Sequence, residues 1–218
     1  SVVTMTTGST LVIDVTASRR RTDANVAFTW FGRFGMALGL ALGVYIYPYW
    51  SFTCVVYVCA VFGIGALLLI PLLHIPFRAP LCPPLFSLDR FLLPRTLLPG
   101  INMLLVSFIF GVIIAHIYNE IFYICILIGF AVSLLISKYA LSHTSCRAEM
   151  EFGQAALVAG ILLMAFSNSL MSSYIAALLL GIGIGITASR FFVIMISLPL
   201  HCERGTGNNT YQLLWEVG

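Results

Sequence analysis

Residues 97–118 read LLPGINMLLVSFIFGVIIAHIY, a run without a single aspartate, glutamate, lysine or arginine. About 20 predominantly apolar residues are enough for a helix to cross a bilayer, so this run predicts a membrane span. The whole chain has the same character. Of its 218 residues, 60% are hydrophobic and 9% are charged, whereas soluble domains carry about 25% charged residues. So few polar residues cannot cover a water-soluble surface, and we predict an integral membrane protein.

Apolar runs of similar length lie on both sides of this one. They are too long and too uniformly apolar for barrel strands, whose pattern alternates, so the prediction is an all-α, polytopic helix bundle. The turn Tyr47-Pro48-Tyr49 separates the first two complete spans, and both ends of the chain are interpreted as cut from a longer polypeptide. The predicted spans are 26–46, 50–72, 97–118, 121–138, 152–170 and 173–197, with an incomplete span at 1–17 and a last helix that starts near 206.

Basic residues sort to every second loop. Apart from Arg33 and Arg190, which lie within spans, each lysine and arginine falls in or beside one of four loops: 18–25, 73–95, 138–151 and 198–205. The intervening loops contain neither residue type; they lie near 47–50, 118–121 and 168–173. Cytoplasmic loops carry an excess of lysine and arginine, so the first set is predicted to be cytoplasmic.

Two loop-to-helix junctions resemble one another at an interval of 183 residues. One reads RTDANVAF from Arg21, and the other reads RGTGNNTY from Arg204. Six predicted crossings separate them, so the two junctions have the same orientation in the membrane. A six-helix period with preserved orientation is a parallel repeat, which is the arrangement of the two halves of major facilitator transporters.

Several stretches resemble the major facilitator superfamily, in the family's order along the chain. Residues 8–43 look like its fourth-to-fifth helix junction, with Asp14 ahead of a basic cluster. Within them, GMALGLALG at 35–43 is similar to the antiporter motif of the fifth helix, although the family pattern has proline where this chain has Leu40. Two later stretches resemble the start of the seventh helix and the ten-to-eleven loop: LDRFLLPR at 88–95 and PLHCERGT at 199–206.

The resemblance implies two six-helix halves, of which this chain holds helix four to the start of helix eleven. Residues 1–72 would end the N-terminal bundle, 73–95 would form a cytoplasmic connector, and 96–218 would begin the C-terminal bundle. The connector holds five of the nine prolines, which is incompatible with a regular helix. The implied function is secondary active transport of a small solute by alternating access, often coupled to protons. Proton-coupled efflux is one form of it, although Leu40 departs from the antiporter pattern.

The expected partners are therefore a small-molecule solute, protons and the lipid bilayer. We expect a monomer in a bacterial inner membrane, without a nucleic-acid partner. No cofactor or metal is expected either, because the sequence contains no HExxH, no His/Cys metal spacing and no GxxxxGK phosphate loop.

Ionisable residues inside a membrane are costly to bury and are therefore functional candidates. Arg33 is predicted to lie near the midplane, where it could hold an anionic group of a substrate or take part in a structural pair. Glu216 occupies the repeat-equivalent position and is predicted to face the same central cavity, where its carboxyl group could exchange a proton. Arg190 is placed on the same pathway, although snorkelling of its side chain to the headgroups is the preferred interpretation.

Polar residues and glycines complete the candidate set. Asn102 and Gln154 are assigned to the substrate pathway, with an interhelical hydrogen bond as the more usual role. A cytoplasmic gate or ordinary solvated charges account equally well for three residues: Asp14, Arg21 and Arg204. Three glycines spaced by four residues are predicted to let helices pack closely: Gly35, Gly39 and Gly43. A second glycine run is interpreted in the same way or as loosening its helix for gating: Gly181, Gly183 and Gly185.

A membrane-embedded enzyme, such as an acyltransferase or a protease, is the main alternative. It would need histidine, aspartate, glutamate or serine clustered near one membrane face. His143 and His201 share the predicted cytoplasmic side but have no convincing partners in the sequence.

Loops 18–25 and 138–151 should be reached from the same side of the membrane. In a background without native cysteines, Arg20→Cys and His143→Cys are expected to react with an impermeant maleimide from the cytoplasmic face only. Tyr49→Cys is expected to react from the opposite face. Labelling of Arg20→Cys and His143→Cys from opposite faces would contradict the predicted topology.

Overall fold

Long helices account for the fold, as the composition predicts. The computed structural model describes residues 20–72, 92–117, 119–166, 169–199 and 204–218, together with 8, 11, 12 and 16. These residues contain helices and no strands. The helices are α1 (Arg21–Trp50), α2 (Phe52–Leu69), α3 (Leu97–His116), α4 (Glu120–Leu135), α5 (Cys146–Phe166), α6 (Leu170–Ser197) and α7 (Arg204–Val217).

Six helical segments are long and apolar enough to cross a membrane, which fits a multi-pass membrane protein. Short 3₁₀ turns extend α2 through Ile70–Leu72 and precede α3 at Pro94–Thr96, while a π-helical turn, Ile136–Ala140, continues α4. Most of the predicted connector, residues 73–91, lies outside the described residues.

One predicted boundary fails at the first reversal of the chain. The turn predicted at 47–49 is helical, since α1 continues through Pro48 to Trp50 and the chain reverses at Ser51, where φ is 74°. Pro48 lies in the last turn of α1, where the loss of one backbone hydrogen bond is easily tolerated. The sequence predicts that the helix ends before Pro48, but in the structure it continues past this residue.

A second predicted boundary is wrong at the start of α5. This helix begins at Cys146 rather than 152. Its first turns are polar and lie outside the apolar run, and an exposed ion pair between Arg147 and Glu151 supports them. Helix α4, by contrast, begins close to its predicted start, because the Asn119 side chain accepts a hydrogen bond from the Ile121 amide at 2.9 Å.

Helix α6 lies at the centre of the packing. In its span, 67% of the residues of the apolar window are buried, whereas the corresponding window of α2 has none. Helices α4 and α5 make the most extensive contacts with α6, and α3 and α7 also contact it. Helix α1 packs against α4 and α2. The sides of the bundle therefore expose apolar side chains, as a bilayer allows.

Glycines bring α4 and α5 close to α6. A Cβ atom at Gly129 of α4 would lie 2.5 Å from the Leu178 carbonyl oxygen and 2.9 Å from the Gly181 Cα. On the other side of α6, a Cβ atom at Gly183 would lie 2.7 Å from the Gly153 carbonyl oxygen. Close backbone approach of this kind is how helices associate in lipid, where the hydrophobic effect does not bring them together.

The predicted close packing is seen for the glycines of α6 but not for the three glycines of α1. No atom of the described residues lies within 4 Å of the position that a Cβ would take at Gly35, Gly39 or Gly43. All three are on α1, whose contact with α4 uses Ala37 and Ala41 instead. Within the described ranges, this stripe of glycines faces open space, and the helix contact predicted for it is not seen.

Alanine at Gly129 should therefore destabilise the bundle, whereas alanine at Gly39 should not. For Gly129→Ala we expect a loss of about 1–3 kcal/mol, the usual cost of overpacking, because the new methyl group meets the backbone of α6. Gly39→Ala should leave stability unchanged or raise it by up to about 1 kcal/mol, because alanine is the better helix former. Thermal unfolding of both variants in the same detergent measures the difference, and equal losses would contradict this packing.

Candidate functional site

A cavity of about 590 Å³ lies between α1, α3 and α7. Its size falls within the range of small-molecule sites, about 300–1,000 Å³. On α1 and α3 the lining residues follow the i, i+3, i+4 and i+7 spacing that a helix presents to one side, and α7 contributes two pairs of adjacent residues and the residue after its end. The lining residues are Thr29, Gly32, Arg33 and Met36 of α1; Ser107, Phe110, Gly111 and Ile114 of α3; and Tyr211, Gln212, Trp215, Glu216 and Gly218 at α7 and its end.

Arg33 is buried in this wall, with 6% of its surface exposed. Its Nη1 donates to the Ser189 hydroxyl at 2.6 Å and to the Gly185 carbonyl at 3.4 Å, and its Nη2 donates to the Tyr211 hydroxyl at 3.1 Å. The guanidinium carbon lies 5.1 Å from the centre of the Trp30 ring, a distance suited to a cation–π contact. All of these partners are neutral, so the hydrogen bonds hold the group in place without an ion pair to any described residue.

Tyr211 joins α7 to this network. Its hydroxyl accepts from Arg33 and donates to the Ala188 carbonyl of α6 at 3.1 Å. Ser189 in turn donates to the Gly185 carbonyl at 2.7 Å. The central helix α6 thus accepts hydrogen bonds both from Arg33 of α1 and from Tyr211 of α7. Gly185, Ser189 and Tyr211 together fix the position of the Arg33 head group.

Glu216 lines the same cavity from α7. Each of the two charged residues stands twelve positions after the first residue of its helix, Arg21 for α1 and Arg204 for α7. At the α-helical rise this is about 18 Å along either axis. Among the described residues of the lining, Arg33 and Glu216 carry charged side chains, and they approach the cavity from different helices.

Repeat-equivalent positions meet at this cavity in three cases. Helices α1 and α7 begin at equivalent residues, Arg21 and Arg204. The two helices therefore start at the same point of the sequence repeat. The three pairs are each separated by the repeat interval, and all six of their members line the cavity: Thr29 and Gln212, Gly32 and Trp215, and Arg33 and Glu216.

Asn102 and Gln154 lie apart from this cavity. The Gln154 side-chain amide donates to the Asn102 side-chain oxygen at 3.0 Å, which joins α3 to α5. Both residues line a second cleft of about 390 Å³, together with the exposed pair Arg147 and Glu151. The interhelical hydrogen bond considered for these residues is therefore present, and their place on a substrate pathway stays a prediction.

Arg190 pairs with a buried carboxylate. Its guanidinium forms an ion pair with Glu149 of α5, whose surface is only 4% exposed. The ion pair gives this side chain a partner within the protein, and its snorkelling to the headgroups and its place on the pathway stay predictions. Glu149 was not predicted as a site residue because the predicted span began at 152. The helical spacing of the residues could have indicated that Glu149 is buried, because it shares one face of α5 with three small or apolar residues: Gly153, Leu157 and Gly160.

The predicted cytoplasmic gate falls largely outside the described residues. Asp14 is among the residues that the structure does not describe, and the side chains of Arg21 and Arg204 are likewise outside it. The gate therefore stays a prediction.

Four polar or aromatic residues of the site were not among the sequence candidates. Hydroxyl, amide and indole groups in an apolar run give no signal by themselves, because their role depends on which face of the helix they occupy. These residues are Trp30, Ser107, Tyr211 and Gln212.

No family model matches the chain, and neither does any curated protein or solved structure. Function must therefore be inferred from the cavity and its charges. Among the described residues, no group of three or more histidine, cysteine, aspartate or glutamate side chains could hold a metal ion.

Loss of Glu149 should destabilise the protein far more than loss of Glu151. Glu149→Gln leaves the Arg190 charge without its buried partner, and breaking a buried pair in this way costs about 3–5 kcal/mol. Glu151→Gln breaks an exposed pair on the same helix and should cost less than about 1 kcal/mol. Thermal unfolding in detergent measures both changes. Equal effects of the two substitutions would show that the Glu149 pair is not structurally important.

A double replacement provides the control for Glu149. Glu149→Leu with Arg190→Met removes both charges and should recover much of the stability that Glu149→Gln loses, because no unpaired charge is left in the bundle. A double variant as unstable as Glu149→Gln would mean that volume or backbone distortion, rather than charge, accounts for the loss.

Proposed function

We propose that this protein is a secondary transporter that moves a small solute across a membrane by alternating access, with the α1–α3–α7 cavity as its central site. One observation carries the proposal: the unlike charges Arg33 and Glu216 stand at repeat-equivalent positions and line a single cavity of a multi-pass bundle. Carriers built from repeats place their substrate sites near the membrane midplane, at the interface between the repeats.

The cost of burying Arg33 supports a functional role. A charged side chain at the centre of a bilayer costs at least about 2.5–3.5 kcal/mol, even on the lower scales. A purely structural arginine would recover this cost by pairing with a carboxylate, as Arg190 does with Glu149. Arg33 instead holds three neutral partners and faces a cavity large enough for a solute.

The packing suggests how access could alternate. Helix α1 belongs to the proposed first half. It meets α7 of the second half through the Arg33–Tyr211 hydrogen bond, and it packs more extensively against α4 of the same half. The polar contact between α1 and α7 can be exchanged when the two halves rock against each other about the α1–α4 contact, whereas the close glycine contacts of α6 hold α4, α5 and α6 together as one body. Rocking of one repeat against the other around a fixed site is the usual form of alternating access.

The major facilitator superfamily is the family we propose for this carrier. The resemblance of residues 8–43, 88–95 and 199–206 supports it, as does the shared register of α1 and α7. Within that proposal, the connector joins the two halves, Glu216 is the candidate for proton coupling, and a bacterial inner membrane is the expected location. An enzyme has no specific observation in its favour among the described residues, where His143 is exposed at a loop.

Alternating access predicts that a thiol in the cavity can be reached from either face of the membrane. In a background without native cysteines, Gly111→Cys should react with an impermeant maleimide in both right-side-out and inside-out vesicles, because the cavity opens to each side in turn. Phe108→Cys on the same helix is the matched control. Phe108 is exposed on the outside of the bundle and should stay unlabelled, because impermeant reagents do not enter lipid.

Labelling of Gly111→Cys from one face alone, or from neither, would contradict alternating access. The experiment uses the protein expressed from its complete reading frame, and it needs no knowledge of the solute. Turnover of a lipid or a peptide by the purified protein, with one-sided labelling, would instead favour a membrane-embedded enzyme.

A further inference from the structure

The second cleft, between α3, α5 and α6, combines two polar pairs with an apolar base. Its volume of about 390 Å³ falls within the range of small-molecule sites, about 300–1,000 Å³. One polar pair is the exposed ion pair of Arg147 and Glu151, and the other is the hydrogen-bonded pair of Asn102 and Gln154. The other described lining residues are apolar: Leu98, Pro99, Met150, Phe191, Ile194 and Leu198.

The two polar pairs lie at successive depths along the helices. Arg147 and Glu151 belong to the polar first turns of α5, ahead of the apolar run that begins at 152. Gln154 stands three residues further into α5, about 4.5 Å along its axis, and Asn102 stands five residues after the start of α3, about 7.5 Å along that axis. A charged layer at the edge of the membrane is therefore followed by an amide layer just inside it.

The amide pair retains hydrogen-bonding capacity that faces outward. The Gln154 amide donates to the Asn102 oxygen at 3.0 Å. Each carboxamide has two N–H donors, so the Asn102 amino group has no acceptor among the described residues. Asn102 is exposed and Gln154 is half-buried. Water is scarce inside a bilayer, so acceptors must come from its other components, and the ester carbonyls of a phospholipid are acceptors of this kind.

Below the amide pair the surface of the two helices is apolar. Leu105 of α3 and Val158 of α5 are each 54% exposed. They follow Asn102 and Gln154 by three and four residues, so they share the same helix faces one turn deeper. Acyl chains can cover this surface, whereas a small soluble ligand in the cleft would leave it bare.

The ion pair at the mouth favours one type of headgroup. The Arg147 Nε lies 2.8 Å from a Glu151 carboxylate oxygen, and both side chains are mostly exposed. Exposed pairs contribute little to stability, so their members can exchange partners at small cost. A guanidinium matches phosphate oxygens, and a carboxylate accepts hydrogen bonds from a primary ammonium group. A headgroup with both groups therefore pairs with both residues and leaves neither charge alone.

From these features we propose that the α3–α5–α6 cleft binds an aminophospholipid of the adjacent leaflet. Its phosphate pairs with Arg147, its ammonium group pairs with Glu151, and an ester carbonyl accepts from Asn102. Its acyl chains run over Leu105 and Val158. Basic sites between membrane helices bind lipid headgroups in this way. The inference goes beyond the transport function and does not depend on it, since it uses no residue of the Arg33 cavity. No bond is made or broken on binding.

Four probes separate the contacts of the lipid. Dioleoyl phosphatidylethanolamine has all of the proposed groups, and phosphatidylcholine replaces its ammonium N–H donors with methyl groups. An ether-linked phosphatidylethanolamine lacks the ester carbonyls, and glycerophosphoethanolamine lacks the chains. Native mass spectrometry of the protein expressed from its complete reading frame measures binding in detergent. The ester-linked phosphatidylethanolamine should bind about 3- to 10-fold more tightly than phosphatidylcholine or the ether lipid, as expected for charged hydrogen bonds near a membrane surface.

The variants should remove these preferences one at a time. Glu151→Gln should make phosphatidylethanolamine and phosphatidylcholine bind equally and leave the preference for ester over ether unchanged. Asn102→Leu with Gln154→Leu replaces both amides without leaving an unpaired one, and it should abolish only the preference for the ester. Arg147→Gln should weaken binding of all three phospholipids.

Two control variants change the same residue types away from the cleft. Glu120→Gln at the start of α4 and Arg20→Gln before α1 should alter none of the affinities.

Other outcomes overturn the assignment. Equal binding of phosphatidylethanolamine and phosphatidylcholine to the unmodified protein would exclude the ammonium contact, and a preference that survives Glu151→Gln would place the lipid elsewhere. Glycerophosphoethanolamine bound as tightly as the lipid would indicate a site for a soluble ligand. None of these results bears on two-sided labelling of Gly111→Cys, so failure of this inference is distinguishable from failure of the transport function.

Discussion

In lipid, two helices gain little from hiding apolar surface, so they must approach closely enough for dispersion and small polar contacts to hold them. Helix α6 meets this requirement on two sides, through Gly181 against α4 and through Gly183 against α5. The rest of the described bundle is positioned by this arrangement. The next glycine, Gly185, gives its carbonyl oxygen to Arg33, so the helix that holds α4 and α5 together also determines where the cavity charge lies.

Two arginines in this bundle show how the surroundings determine what a buried charge can do. Arg190 pairs directly with Glu149, and such a pair is satisfied within the protein and has little capacity left for a ligand. Arg33 is held by a serine, a tyrosine and a backbone carbonyl, which position its head group without neutralising it. The same residue type thus gives a structural contact at one place and a candidate binding group at the other, and the difference lies in whether the partner is charged.

Composition and charge placement are sufficient to predict the helices, since the apolar runs and the alternation of basic loops are properties of the chain itself. The cavity charges can also be predicted, because the sequence repeat alone relates Arg33 to Glu216. The helix faces cannot be predicted in this way. Gly39 and Gly181 look alike in the sequence, but only the second meets another backbone, because uniformly apolar helices do not reveal which side faces a neighbour. Glu149 escapes prediction for a related reason: its helix extends beyond the apolar run that marks the span.

The opposite charges of Arg33 and Glu216, at repeat-equivalent positions, produce an electric field across the cavity that two like charges would not produce. Two arginines facing each other across a cavity would repel, and their fields would largely cancel at its centre. Arg33 and Glu216 instead give a field that runs across the cavity from α1 to α7. A dipolar ligand is then favoured in one orientation, with its anionic end toward α1. The repeated backbone alone does not favour one orientation of a ligand. Under the proposed function, the site selects an orientation because one half carries arginine where the other carries glutamate.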